Sequence, residues 1–107
     1  MAYAIIVAPE AAEQLRALRA HERAAVTDAL QRHLRHEPAR VSKNRIKRLR
    51  GLSQPQYRLR VGEVRVFYDI AEQHVQVLAV VSKAQADAWL KEKGAPDEEG
   101  GAGQGQG

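Results

Sequence analysis

Residues 57–69, Y-R-L-R-V-G-E-V-R-V-F-Y-D, alternate apolar and polar side chains on both sides of a Gly62-Glu63 pair. Alternation at period two, broken by two loop residues, predicts a β-hairpin. Glycine in the first loop position suits a type II′ turn, which needs a positive φ there. With that loop Val61 faces Val64, and the pairing continues Arg60 with Arg65, Leu59 with Val66 and Arg58 with Phe67. Successive side chains point to opposite faces of a sheet, so Arg58, Arg60 and Arg65 share one face and Leu59, Val61, Val64 and Val66 the other. Like charges directly opposite each other weaken a sheet. Three arginines kept in this arrangement imply an anion for them to hold, and the pattern reads as a phosphate-binding sheet face. The plainer reading is a set of exposed strand arginines, with Arg65 paired to Asp69 two positions along the same face.

The charge distribution points the same way. The net charge of +4 understates the basic character, because Asp97, Glu98 and Glu99 lie in the tail and all 17 Lys and Arg lie at or before Lys93. Residues 1–93 carry 17 basic against 10 acidic side chains, or +7. Between residues 40 and 65, nine basic residues face Glu63 alone. Such a patch attracts polyanions with strong salt dependence. There is no cysteine, which excludes disulfides and thiolate metal sites and fits a reducing cytoplasm. No apolar run approaches the roughly 20 residues of a membrane helix, and no basic region followed by a long apolar stretch opens the chain. His33 and His36 lie three apart, but no further Cys or carboxylate cluster completes a ligand set, so neither metal nor cofactor is expected.

Along the chain, Y-A-I-I-V at 3–7 reads as a buried strand. Pro9 suits the first position of a helix that carries Ala12, Leu15 and Leu18 to about Ala20. A second helix spans about 22–37 with Val26, Ala29, Leu30 and Leu34 on its buried face, and Pro38 ends it. After a polar loop at 39–46, a short strand falls within 46–52, then the hairpin at 57–70 and another strand at about 74–81. Ser82 with Gln85 reads as a capping box opening a helix through Ala86, Trp89 and Leu90, with Gly94 as its stop. The Gly-rich segment 94–107 is expected to be disordered. The prediction is one α+β domain over 1–93: a small antiparallel meander, an N-terminal helical hairpin on one face, a C-terminal helix, and the other face left to present charge.

Over about residues 3–90 the chain resembles the RelE/ParE family of toxins from type II toxin–antitoxin systems. The resemblance is carried by Y-A-I-I-V-A-P-E-A-A-E-Q-L at the start, K-R-L-R-G-L at 47–52, the hairpin Y-R-L-R-V-G-E-V-R-V-F-Y-D-I, and V-L-A-V-V-S-K at 77–83. It implies a cytoplasmic toxin neutralised by a cognate antitoxin, and it implies two activities, since RelE-like members cleave mRNA, usually at the ribosome, whereas ParE-like members poison DNA gyrase. Matched by motif, Arg58 and Arg60 fall where two strand lysines commonly sit, and Arg65 on the arginine of the G-x-x-R step. Lys83 falls near a position often held by arginine, and Trp89 near one often held by a tyrosine. This sequence departs from the family in three respects. Trp89 can stack a base but has no hydroxyl, no histidine lies near the end of the last strand, and guanidinium groups are poor bases.

For a nuclease, the expected reaction is attack of the RNA's own 2′-hydroxyl on the adjacent phosphorus. Arg58, Arg60 and Arg65 would stabilise the growing charge, and Lys83 is the most titratable candidate for acid–base work, sited where backbone N–H groups at a helix start favour phosphate. Glu63 is a conceivable base. Lys47, Arg48 and Arg50 are expected to bind substrate phosphates or acidic antitoxin side chains, and Trp89 either stacks a base or packs the last helix on the sheet. The expected partners are an antitoxin with an acidic amphipathic segment, mRNA with the ribosome, or gyrase in the alternative reading. A third reading is a degenerate toxin that survives as an antitoxin-bound co-regulator.

Overall fold

The computed structural model describes residues 2–97. Ala4–Val7 forms β1 and Pro9–Ala17 forms α1, with the proline in the first turn, where its missing N–H would have had no intrahelical partner anyway. The extended residues Leu18 and Arg19 then separate α1 from α2, Ala20–Ala29, so the first helix stops short of the expected Ala20. Neither Gly nor Pro makes this break. Arg23 holds it, its Nη1 donating to the Leu18 carbonyl at 2.9 Å. Helix α2 passes into a π-helical turn at Leu30–Leu34, short of the expected end at residue 37.

The strands that follow are β2 (Ile46–Arg48), β3 (Leu52–Gln54), β4 (Tyr57–Val61), β5 (Val64–Ala71) and β6 (His74–Ser82). Then come α3 (Lys83–Lys93) and β7 (Ala95–Pro96). Five of the strands make one sheet in the order β1-β6-β5-β4-β2. The meander β2-β4-β5-β6 is antiparallel, as the sequence suggested, and β1 joins β6 in parallel as a fifth strand. The hairpin register is the expected one, Val61 opposite Val64 and Arg60 opposite Arg65. Gly62 has φ +58° and Glu63 does not take a positive φ, as a type II′ turn requires.

The helical pair covers one sheet face. Val26, Ala29, Leu30 and Leu34 from the helices meet Leu59, Val64, Val66, Tyr68, Val75, Val77 and Val80 from the strands, all buried. The Tyr68 ring stacks on Tyr57 at 5.4 Å, and its hydroxyl donates to the Pro38 carbonyl at 2.6 Å. Burial pushes that hydroxyl's pKa well above its ordinary value, with Tyr57 adding to the effect. Beyond the end of β1, the side chain of Gln14 takes over the role of a neighbouring strand, its Oε1 accepting from the Val80 N–H at 2.6 Å.

The other face is not left wholly to charge. A bulge in β6, where Phe67 pairs with Ala79 but Tyr68 with Val77, leaves Leu78 over and reverses the strand's alternation. Ala79 and Val81 thereby join Phe67 on the second face, and α3 covers them with Ala86, Trp89 and Leu90. Helix α3 starts at Lys83 as expected, but Ser82 makes no side-chain cap bond, so the expected capping box is absent. The Lys83 N–H instead donates to the Glu63 carbonyl at 2.7 Å, tying the helix start to the hairpin tip. At the far end Gly94 stops α3 through close approach rather than a left-handed φ, since a Cβ there would sit 2.5 Å from the Leu90 carbonyl oxygen. Ala95–Pro96, expected in the tail, pair with Leu52–Gln54. Residues 98–107 of the expected tail lie outside the described residues.

Replacing Tyr68 by Phe removes a short hydrogen bond and strands the Pro38 carbonyl in the interior. Urea unfolding is expected to show a loss of about 1–2 kcal/mol with an unchanged m-value. A neutral result would mean that water reaches Pro38.

Candidate functional site

Backbone register brings the basic residues together. Lys47 pairs with Arg58 across β2 and β4, Arg58 with Phe67 across β4 and β5, and Arg60 with Arg65. Period two then places all four cations on the face that α3 half covers. Between α3 and strands β2, β4 and β5 lies a cleft of about 370 Å³. Phe67, Leu49 and Leu90 give it an apolar lining, and Lys47, Arg58, Arg65 and Lys83 ring it. Asp87, one helical turn after Lys83, is the single carboxylate among its lining residues.

The cations differ in what they touch. Arg65 was expected to project outward, yet it is only 7% exposed, with Nη1 donating to the carbonyls of Gly62 at 2.8 Å and Val64 at 3.1 Å. Its guanidinium therefore braces the hairpin turn while lining the cleft. It does not pair with Asp69, which accepts from the Gln56 N–H at 2.7 Å and from the Gln54 side chain at 2.8 Å. Arg58 is half-buried, and its Nε is shut off from solvent without a hydrogen-bond partner. Burial first, then Arg65 and Arg60, lower its pKa from the ordinary arginine value. An anion in the cleft would answer both the unpartnered donor and the repulsion. Lys83 is exposed, and its own N–H is taken by Glu63, so the free helix-start N–H expected at that residue is not available.

The remaining expected residues lie apart. Arg60 stands beside Arg58 but does not line the cleft. Arg48 points away from it, with its guanidinium over the Tyr57 ring at 5.1 Å. Arg50 is exposed on the bend before Gly51. The Trp89 ring lies parallel to Phe67 at 5.1 Å with an interplanar angle of 5°, so one of its faces is occupied by the sheet. Glu63 lies on the opposite side of the hairpin tip, beside Val61 and Ala25. The sequence reading missed Asp87 and Leu49. Asp87 carried a signal, as the only acid in the first two turns of α3, but nothing in the sequence placed that turn over β4. Among the described residues no group of His, Asp or Glu is placed to hold a metal ion, and no helix is long and apolar enough to cross a membrane.

The α+β architecture, a mostly antiparallel sheet packed with helices, is shared with solved structures from toxin–antitoxin pairs. A chain of the RelBE2 toxin–antitoxin complex from Mycobacterium tuberculosis superposes with a TM-score of 0.63 at 27% identity, covering 77% of this chain and 99% of that one. A chain of the archaeal RelE–RelB complex from Pyrococcus horikoshii shares the fold at TM-score 0.65 and 20% identity, covering 79% and 99%. A free-state double arginine-to-alanine variant of Escherichia coli RelE does so at 0.63 and 23%, covering 83% and 92%. The family described as the ParE toxin of the type II toxin–antitoxin system parDE matches residues 5–87. The chain belongs to the RelE/ParE family of type II toxins. A comparison with curated protein sequences gives no match.

The environment of Arg58 sets a test of the cleft. Because its folded-state pKa lies below the unfolded value, the protonated form is disfavoured by folding, and that cost is present at every pH below the folded pKa, including neutral pH. Arg58→Met is expected to stabilise the fold by roughly 0.5 kcal/mol, by removing a partly buried charge first and like-charge repulsion second, while weakening the binding of a single-stranded RNA used as a polyanion probe. Thermal unfolding and fluorescence anisotropy measure the two. Equal losses in both would show Arg58 to be structural.

Proposed function

We propose that this toxin is a metal-independent endoribonuclease that cuts mRNA, acting in the cytoplasm on message held at the ribosome. The observation that carries this reading is the convergence of Lys47, Arg58, Arg65 and Lys83 around one cleft with a single carboxylate in its wall. A phosphodiester seated there would receive bidentate or paired donors from Arg58 and point charges from Lys47 and Lys83. The RNA's 2′-hydroxyl attacks the adjacent phosphorus, the 5′-oxygen departs, and a 2′,3′-cyclic phosphate remains. Asp87 takes the 2′ proton and the Lys83 ammonium supplies one to the leaving oxygen, the two lying one turn apart on α3. The guanidinium groups hold charge and geometry and exchange no proton. Arg65 keeps the hairpin tip, and hence Lys83, in place.

The toxin's partner is a cognate antitoxin. The complexes named for the M. tuberculosis and P. horikoshii proteins support this, and the chemistry of the cleft calls for an acidic amphipathic segment in it. Such a segment would compete with RNA for the same cations.

Induced expression in cells followed by mapping of mRNA ends tests the activity. The expected result is new message ends that disappear in Lys83→Ala and fall by about 100-fold in rate with Arg58→Ala in purified ribosome assays, the size of one lost charge-stabilising group. Asp87→Asn is expected to lower kcat and leave KM near its original value. Intact message together with growth arrest would discard the nuclease.

A second reading is a non-enzymatic gyrase poison. It is favoured by the match to the ParE toxin family and by Trp89 standing, packed on Phe67, where a tyrosine hydroxyl is common. Inhibited supercoiling with trapped cleaved DNA and no RNA products would establish it. Harmless overexpression would leave only an antitoxin-bound co-regulator.

A further inference from the structure

A second cation-lined cavity, about 400 Å³ in volume, lies between the C-terminal end of α2 and the loop that leads into β2. Arg32, His33, His36 and Arg40 reach it from the π-helical turn and the turns after it, and Ser42 and Arg45 from the loop. The loop is fixed on this side. The Ser42 Oγ accepts from the N–H groups of Arg45 at 3.0 Å and Ile46 at 3.1 Å, while the Ser42 N–H donates to the Ile46 carbonyl at 3.0 Å. Two of the arginines have carboxylate partners at the rim, Arg32 with Asp28 at 3.2 Å and Arg40 with Glu37 at 3.0 Å. Among the described residues no carboxylate pairs with Arg45.

That imbalance is felt inside the cavity. His33, half-buried in its wall, has its pKa lowered from the ordinary histidine value by burial first, then by Arg45 and Arg32, with Asp28 opposing them. Near neutral pH it is therefore an uncharged donor–acceptor beside an unneutralised guanidinium. An arriving anion would pair with Arg45 and favour protonation of His33, adding a second charged donor. The cluster of N–H donors and the placement of one carboxylate-free arginine suit a tetrahedral oxyanion, the one carboxylate in the lining, Glu37, being held by Arg40.

The cavity adjoins the basic cleft through one strand. The Arg60 N–H donates to the Arg45 carbonyl at 2.9 Å, and two residues further along β2 Lys47 pairs with Arg58 in the cleft. We propose that this cavity is a second phosphate-binding site, in which Arg45, His33 and His36 hold one phosphate of an RNA strand whose scissile phosphate lies in the cleft around Arg58. The choice of RNA as the source rests on the proposed nuclease reading; the phosphate chemistry of the site does not.

NMR titration of His33 in the full chain separates the two. Inorganic phosphate is expected to move the His33 midpoint upward in the native protein and in Arg58→Ala, but not in Arg45→Ala. A short 2′-O-methyl RNA, which cannot be cleaved by its own 2′-oxygen, is expected to produce the same movement. Its affinity should fall about five-fold in Arg45→Ala, with the logarithmic salt dependence reduced by about one. His33→Gln, which keeps a donor but cannot take the proton, should weaken phosphate binding less than Arg45→Ala does. A His33 signal that neither ligand moves, or that both move equally in Arg45→Ala, overturns the site. A response to inorganic phosphate without one to RNA overturns the RNA assignment and makes free phosphate the ligand. If cells show no message cleavage while phosphate still moves His33, the nuclease reading fails and the site stands.

Discussion

The stacked pair of Phe67 and Trp89, 5.1 Å apart and nearly parallel, divides the second face of the sheet into a core half and a charged half. No residue of α3 is fully buried, so the helix is held mainly by Ala86, Trp89 and Leu90 against Phe67, Ala79 and Val81. An aromatic pair contributes about 0.5–1.5 kcal/mol beyond its buried area, a large share for so small a contact. The Trp89 indole N–H reaches Glu10 at 3.5 Å and adds a weak tie to α1. Without this anchoring the arginines of β4 and β5 would stand on an open sheet in bulk water. With it they line a concavity with a low-dielectric wall, where fields are screened less and an anion is held more strongly.

How far the sequence specified this arrangement depends on whether a local signal existed. The hairpin was legible down to its register, because seven alternating residues and one glycine of positive φ agree with each other. The helix faces were legible through Val26, Ala29, Leu30 and Leu34, which fall where a 3.6-residue period puts them. The phase change in β6 was not. Val77-Leu78-Ala79-Val80-Val81 is apolar throughout, and a run buried on both faces carries no alternation from which a bulge can be read. Consequently the strand half of the second small core left no trace in the pattern, although Ala86, Trp89 and Leu90 marked the side of α3 that packs on it. The break between α1 and α2 was hidden for a different reason: a side chain, Arg23, stabilises it in place of a glycine or proline. The Ser82–Gln85 spacing was a true signal for a helix start that the chain satisfies otherwise, through the Glu63 carbonyl. The site divides along the same line, its strand cations Lys47, Arg58 and Arg65 following from period two, and Lys83 and Asp87 depending on where α3 is placed.

Arg58 and Arg65 show how one residue type on one face serves two ends. Arg65 sits against the turn and spends two donors on its carbonyls, so its positive charge is buried but its hydrogen bonds are met. Arg58 sits one strand position away with a buried, unpartnered Nε and two like charges as neighbours. Buried polar groups without partners are rare in folded proteins because each costs about 1–3 kcal/mol. The fold tolerates that cost at Arg58 and avoids it at Arg65. The unmet group therefore marks the part of the cleft that is complete only with something bound, whereas Arg65 belongs to the scaffold that aims it.

The same contrast limits the chemistry. The cleft arginines stay protonated, which leaves Lys47, Lys83 and Asp87 as its candidates for proton exchange, and Lys83 and Asp87 lie one turn apart at the start of α3. In the proposed nuclease, proton transfer falls to α3, no residue of which is fully buried, and phosphate binding to strands that are locked by their ladders. On the proposed reading, catalysis requires α3 to be seated while substrate is gripped by β2 and β4. Its rate is then governed by how firmly Trp89 keeps α3 on Phe67, at a distance from the phosphate itself. An acidic antitoxin segment occupying Lys47 and Arg58 would silence the same site without touching the proton-transfer pair. In such a nuclease binding and chemistry would be separable, because the register of the sheet fixes the strand cations and the packing of a single aromatic pair fixes α3.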